Sequence, residues 1–354
     1  MKKTVLGLLV LATGVFIGCQ DNASDLPNNQ QSKIDMSDFY VHTDEFESKS
    51  DKNEDKVCYS MKVLNEQLSK DKNLYKKMYD IEYATRKFIA AKKPSGTGGG
   101  NPGNGGGDDG GGDPVGDNLG VINIPVYVHV VYSNSNENIS DAQVASQIAV
   151  LNDDFRRNNN DANNTPSEFA SVAADTEINF TLANTFRYAN SRTSWGTNNA
   201  VKAEYPPVTP ETHMNIWVAN IGGGILGYAQ FPGGNLATDG IVVSPQYFGT
   251  TGYVAAPFDG GRTTTHEVGH YLNLRHIWGD GRCNRDDFVA DTPSSDRPNY
   301  GCPTSAVHCR SNDQFMNYMD YTDDSCMNMF SLGQKERMRA LFASGGGRAA
   351  LAGN

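Results

Sequence analysis

Four side chains in one short stretch could do metal chemistry. The segment GRTTTHEVGHYLNLRHIWGD, from Gly261 to Asp280, contains His266, Glu267, His270 and His276. On a helix His266 and His270 lie one turn apart, so both imidazoles project from one face. Zinc accepts imidazole nitrogen readily, and two ligands a turn apart suit its tetrahedral preference. Glu267 is offset around the helix, where it can reach a water at the metal without becoming a ligand. A chance HExxH occurs in roughly one chain per hundred of this length, so a surface helix carrying the pattern by coincidence is the competing reading. His276, six residues beyond His270, lowers that chance by a further factor of about fifty. It can join the other two only after a sharp chain reversal. Asn273 stands at the reversal, and asparagine is the non-glycine residue that best tolerates left-handed backbone. Arg262, Thr263, Thr264 and Thr265 fit the amino-terminal end of the helix. Three neutral imidazoles leave one metal position for water, whose proton a carboxylate at Glu267 can take and pass to a leaving amine. The chemistry is hydrolysis.

Several elements must carry this constellation. VINIPVYVHVVY, rich in Val and Ile, reads as a strand. Ser140 with Gln143 forms a capping box for a helix whose apolar face is Val144, Ile148, Leu151 and Phe155. TEINFTLANTF, MNIWVAN and DGIVVS read as further strands. A strand, a helix and then more strands make a sheet with one backing helix. No internal repeat is present.

The 354 residues suggest about two folded units at ~150 residues each. A net charge of −11 excludes a general grip on nucleic acid. Twelve of the 37 glycines fall between Pro94 and Asn118, among Asp108, Asp109, Asp113 and Asp117, which describes a flexible linker. Twelve of the sixteen lysines lie from Lys33 to Lys93, and only Lys202 and Lys335 follow Asn118. The two sides of the linker are therefore different units. Ile34 to Ala91 carries helical signals, with Met61, Leu64, Leu68 and Tyr75 in a charged background; a solvated helical spacer would look the same.

At the amino terminus Lys2 and Lys3 precede an apolar run, Val5 to Ile17, and then Gly18-Cys19. This describes a secretory signal; the run is shorter than the ~20 residues a membrane span needs. VFIGC resembles a bacterial lipobox with Cys19 as the lipidated residue, an ordinary signal peptide cut nearby being the alternative. Residues 20–31 read as a polar tether. Export makes cysteines countable. Of six, Cys19 would take lipid and five remain; Cys283, Cys302, Cys309 and Cys326 cluster, and Cys58 stands alone. The expected organisation is signal peptide 1–18, tether 19–32, Lys-rich segment 33–93, linker 94–118 and a catalytic unit 119–354.

HEVGHYLNLRH is similar to the metzincin zinc motif HExxHxxGxxH, with Asn273 in place of Gly. NYMDYTDDSCMNMF offers Met319 for the downstream methionine turn of that clan. Together with MNIWVAN, LGYAQFP, RTTTHEVGH, HIWGD, ADTP, YGC and DDSCMNMFSLGQKERM, in order from Met214 to Met338, the chain resembles the pappalysin family of metzincin zinc peptidases. The resemblance implies an α+β catalytic domain: a twisted mixed sheet, a backing helix, an active-site helix and a smaller irregular carboxyl-terminal subdomain, preceded by a helical prosegment. It implies a zinc endopeptidase acting on proteins or peptides, with His266, His270 and His276 as ligands, Glu267 as base and Met319 as an apolar floor beneath the metal. Tyr321 matches the tyrosine that assists at the oxyanion, and Gly227-Tyr228-Ala229 the strand that pairs with extended substrate. Asp324 falls at the base of the pocket for the residue after the scissile bond, where a carboxylate favours Arg or Lys. Structural calcium is implied near Asp286, Asp287, Asp291 and Thr292, although residue types alone fit a capped surface loop equally well. Disulfides Cys283–Cys309 and Cys302–Cys326 are implied; sequence alone permits three pairings, and metal ligation by these cysteines is disfavoured by export.

CYSMKVLNEQL resembles pappalysin prosegments in which a cysteine blocks the zinc, so Cys58 becomes a candidate latency switch, with Tyr59 where the family often has glycine. A free or oxidised thiol is the simpler alternative. Cleavage within the Lys-rich prosegment would detach the catalytic unit from a lipid at Cys19. The expected setting is an exported bacterial protein, an outer-membrane or cell-surface lipoprotein before processing and extracellular after it, with oligomeric state open. From another class of function, the chain would be a surface lipoprotein that uses a silent metzincin scaffold for binding; the complete set of base and ligands speaks against it. A zincin with a downstream Glu as third ligand is disfavoured by His276.

Overall fold

The computed structural model describes residues 34–43, 58–92 and 117–353. The expected signal peptide, Cys19, the tether and nearly all of the glycine-rich linker lie outside these. The elements, in chain order, are α1 (Ser60–Lys70), α2 (Leu74–Lys92), β1 (Ile122–Tyr132), α3 (Asp141–Phe155), β2 (Ile178–Ala189), the short α4 (Ala200–Glu204), β3 (Met214–Val218), β4 (Gly227–Ala229), β5 (Ile241–Val243), α5 (Arg262–Tyr271), a two-residue hairpin β6 (Val307–His308) and β7 (Ser311–Asn312), and α6 (Leu332–Ala340). Among the described residues no helix is long and apolar enough to cross a membrane.

Five strands form a mixed sheet in the order β2-β1-β3-β5-β4. All neighbours run parallel except β4, which is antiparallel to β5 and lies at the edge. The period-two pattern of β1 explains its placement. Ile122, Ile124, Val126, Val128 and Val130 share the core with Val144, Ile148, Leu151 and Phe155 of α3 and with Val268 and Tyr271 of α5. On the other face Val131, Trp217, Tyr228 and Val242 form a second cluster. The backing helix is capped differently from expectation. Ser140 Oγ accepts the Gln143 N–H at 3.1 Å, but the Gln143 side chain does not return to close a capping box. Its amide is buried and spent elsewhere: Nε2 donates to the carbonyls of Pro245, Phe248 and Tyr253, and Oε1 accepts the Tyr253 N–H. Four backbone partners in a dry site outweigh one at an exposed helix end. A reciprocal capping box does occur at Ser331 and Gln334, where α6 begins.

The Lys-rich segment is no solvated spacer. Val41, Met61, Leu64, Leu68, Leu74 and Met78 close a small core against Phe231 of the catalytic unit, and Val63 enters the outer-face cluster of the sheet. Tyr75, read as part of the apolar face, is 43% exposed, and Leu74 at 2% holds the buried position. The helical register was misassigned because Asp71 interrupts the run and ends α1. Glu82 of α2 is paired with Arg337 of α6 at 2.7 Å, both side chains 3% exposed.

Candidate active site

Helix α5 begins after Gly261, whose φ is 76°, and carries His266 and Glu267 on one turn and His270 on the next. It stops at Asn273, which takes φ 71°. There the Leu274 N–H turns back to the Gly269 carbonyl at 2.9 Å and the Asn273 N–H to that of His270 at 3.0 Å. This left-handed closure brings His276 round to the other two imidazoles. Trp278 stacks on His276 at 4.3 Å between ring centroids.

The three Nε2 atoms lie 3.1, 3.1 and 3.3 Å apart. A zinc tetrahedron with bonds of about 2.0–2.1 Å has edges of about 3.3 Å. Each ring is oriented through its Nδ1: His266 on the Tyr318 carbonyl at 2.7 Å, His270 on the Leu274 carbonyl at 2.8 Å, His276 on the Asp280 carboxylate. With every Nδ1–H donated outward, three lone pairs converge on one point, an arrangement that suits a cation. Burial, and then the neighbouring His276, hold His266 down to about 3, so it stays neutral; the same causes lower His270. Cys58 joins the group: its sulfur and the three ring nitrogens all lie within 4.8 Å of one another. Burial pushes the thiol up, and Glu267 adds to this.

Beneath the histidines the chain from Asn317 to Tyr321 makes a tight turn, with the Met319 N–H on Asn317 Oδ1 at 2.9 Å. Met319 is wholly buried under α5. A Cβ at Gly269 would stand 2.3 Å from its sulfur, so this close approach requires glycine. Tyr321 lies 4.8 Å from His276 between centroids, with its hydroxyl 3.4 Å from the Cys58 carbonyl.

This geometry can be compared with known proteins. The family model described as pregnancy-associated plasma protein-A matches residues 196–343. An extracellular metalloprotease 1 of Coccidioides posadasii is 33% identical over 235 residues, 62% of this chain and 77% of that protein. Mature mirolysin of Tannerella forsythia, solved with a cleaved peptide, is 46% identical over 66% of this chain and 96% of its own, with a TM-score of 0.63. A promirolysin variant from the same organism is 38% identical over 84% of this chain and 97% of its own, with a TM-score of 0.68. The chain belongs to the pappalysin family. It is a metallo-endopeptidase of the pappalysin type, with zinc as its metal.

The rest of the pappalysin site is built around Glu267. Burial raises this carboxyl to about 7, and among the described residues its Oε1 has no hydrogen-bond partner. Its Oε2 accepts the Ser60 hydroxyl at 2.6 Å, and the same oxygen of Ser60 accepts the Ala229 N–H at 2.7 Å. Strand β4, residues Gly227, Tyr228 and Ala229, forms the upper edge through its backbone; the Tyr228 side chain turns away into the outer core. A Cβ at Gly227 would meet Glu267 Cγ at 2.9 Å. Cys58 bridges Gly227 in parallel sense, and the Tyr59 N–H donates to the Gly227 carbonyl at 3.0 Å.

A cleft beside the histidines is lined by Leu226, Phe258, Met327 and Asp324. Asp324 Oδ2 accepts the N–H groups of Gly260 at 2.8 Å and Arg262 at 3.1 Å. Burial raises this carboxyl to about 7. The Arg262 guanidinium binds Asp161 at 2.6 and 2.7 Å and the Asp324 carbonyl at 2.6 Å, and its charge offsets part of the effect of burial on the Asp324 carboxyl.

Disulfides join Cys283 to Cys309 and Cys302 to Cys326, tying the loop after α5 to the segment before α6. In the acidic loop, Asp287 takes the Thr292 hydroxyl at 2.8 and 3.0 Å. Asp286 accepts the Phe288 N–H at 2.7 Å. Asp291 turns away to cap α6, accepting from Ser331 Oγ at 2.6 Å and the Gly333 N–H at 2.9 Å.

Ser60, Asp280 and the Glu82–Arg337 pair escape sequence reading. Asp280 leaves one signal, standing four residues beyond His276. Ser60 leaves none, since its partner is 207 positions away.

Proposed function

We propose that the chain is made as an exported, lipid-anchored zymogen of an endopeptidase that prefers a basic residue after the scissile bond. Cys58 holds it latent. The convergence of Cys58 sulfur with the three Nε2 atoms carries the latency reading, and a solved relative is named promirolysin. A thiolate is a good zinc ligand and would exclude water from the metal. The catalytic unit begins near residue 119 and the prosegment spans 33–93; Asp117, bound to Arg339 at 2.7 Å, marks the edge of what stays after processing. Lipidation at Cys19 and the signal peptide rest on the lipobox resemblance, and extracellular action is supported by relatives named extracellular metalloproteases.

His266, His270 and His276 would hold the zinc, which when bound supplies Lewis-acid polarisation of the scissile carbonyl and of water. Glu267 takes the proton of the attacking water and delivers it to the leaving amine, the two transfers that a carboxylate within reach of that water can serve. Tyr321 donates to the developing oxyanion, the position its hydroxyl now approaches being the Cys58 carbonyl. The Gly227 carbonyl and Ala229 N–H hold the substrate backbone by strand addition, and Met319 supports α5 from below. Asp324 receives an Arg or Lys side chain by a charge-assisted hydrogen bond. Calcium in the 286–292 loop is supported by Asp287, buried and pushed well up first by burial and then by Asp286, a charge that a cation would relieve.

A binding scaffold without catalysis would need a defect in the base or ligands, and the side chains are in place. Glu267→Ala decides between the readings: proteolysis should vanish while zinc content stays at one equivalent. A peptide-library profile of activated protein, with and without a zinc chelator, should show chelator-sensitive cuts before Arg or Lys. Full activity of Glu267→Ala would refute the mechanism.

A further inference from the structure

Away from the cleft, the catalytic unit contains a slot built for one kind of side chain. The Tyr40 ring lies between two guanidinium groups, with Arg275 Cζ 4.3 Å and Arg285 Cζ 4.2 Å from its centroid. Its hydroxyl donates to the carbonyls of Gly279 and Asp286, the latter at 2.7 Å. Its own carbonyl accepts Arg275 Nη2. Phe39 stacks on Phe288 at 6.0 Å, and Phe288 also lies under Arg275 and Arg337, at 4.9 and 5.6 Å from the ring centroid.

The groups that hold Tyr40 belong to the catalytic unit, while Tyr40 and Phe39 belong to the prosegment, whose α2 packs on Phe39 through Tyr75 and Tyr79. Arg275 is 5% exposed, and among the described residues its Nη1 has no hydrogen-bond partner. Arg337 is paired through Nη1 and Nη2 with Glu82 at 3.1 and 2.7 Å, another prosegment group. Loss of the prosegment therefore uncovers two cations, Arg275 and Arg337, the Phe288 ring that lies against both, and two carbonyls awaiting a hydroxyl. Guanidinium faces attract an aromatic ring. The paired carbonyls select tyrosine over phenylalanine, because phenylalanine would cover them without donating.

We propose that, in the enzyme freed of its prosegment, this slot is an exosite for extended peptide segments carrying tyrosine after an aromatic residue, its first occupant being the Phe39-Tyr40 segment of the released prosegment. The inference rests on the zymogen reading above. The slot lies beside the site without sharing its ligands: Arg275 adjoins His276, and the Gly279 N–H donates to the His276 carbonyl at 2.9 Å.

The test is fluorescence anisotropy with a labelled peptide of residues 35–42. The intact wild-type chain should not bind it, because Tyr40 fills the slot in cis. The full chain with Tyr40→Ala should bind, and activated enzyme should bind equally with a hydroxamate in its zinc cleft. A peptide carrying Tyr40→Phe should bind about tenfold more weakly to both, a comparison that leaves the protein unaltered. Equal binding of the Tyr and Phe peptides, no binding to the Tyr40→Ala chain, or loss of binding with the hydroxamate would each overturn the proposal. Failure of the zymogen reading would appear separately, as absence of proteolysis after processing.

Discussion

Replacing Glu82 by Gln should loosen the prosegment from a distance. Burial opposes ionisation of Glu82, but Arg337 and Arg86 outweigh it and hold the carboxyl at about 2, against an ordinary 4.5. At about 1.4 kcal/mol per pH unit of pKa, this is worth about 3 kcal/mol to the docked state. Both partners are 3% exposed, so solvent screening takes little of it. Gln keeps the shape and one neutral hydrogen bond, returning about 1 kcal/mol. The net loss of about 2 kcal/mol raises the undocked population about thirtyfold. Limited proteolysis reads this directly, since cleavage tracks the open population when reclosing is faster than cutting. Chymotrypsin should cut α2 of the Glu82→Gln chain, at Tyr75, Tyr79 or Tyr83, about thirtyfold faster than wild type at pH 7. A folded-state pKa below the unfolded value gives stability that is complete above about 4.5 and drains away as pH falls toward 2. The difference between the two chains should therefore be constant from pH 5 to 8 and shrink in acid. Equal cutting rates at pH 7 would refute the argument that this pair anchors the prosegment.

Other expectations follow from the site. Asp324→Asn should reduce cleavage before Arg relative to cleavage before Met about tenfold in kcat/KM; in the wild type that ratio should rise between pH 6 and 8 as a carboxyl near 7 ionises. Ser60→Ala strands the Ala229 N–H and frees Glu267, so modification of Cys58 by a thiol reagent in the intact chain should quicken about tenfold; an unchanged rate would remove Ser60 from latency. Gly269→Ala drives a methyl into Met319 and should lower stability by about 1–3 kcal/mol, read as a fall in Tm together with weaker zinc retention.

The zinc constellation was legible because its determinants are short-range. His266 and His270 are one helical turn apart, and Asn273 carries its own conformational signal for the reversal that returns His276. Sheet strands were legible from alternation in β1 and from the apolar runs of β3 and β5. What was hidden depends on partners far along the chain. Ser60 meets Glu267 across 207 positions, and Glu82 meets Arg337 across 255; no local pattern encodes either. Gln143 misled for a related reason: its sequence neighbour offered a cap, whereas burial offered four backbone groups in a distant loop. Asp324 is one of two adjacent carboxylates, and only its packing against Gly260 and Arg262 separates it from Asp323.

The edge position of β4 has a consequence for the chain in transit. On its outer side the Gly227 carbonyl is covered by the Tyr59 N–H and the Ala229 N–H by Ser60. An uncovered sheet edge is a template for any passing strand, another copy of the same enzyme included. The prosegment thus serves colloidal safety as well as latency. Once it has gone, substrate is the partner that keeps this edge from finding its like.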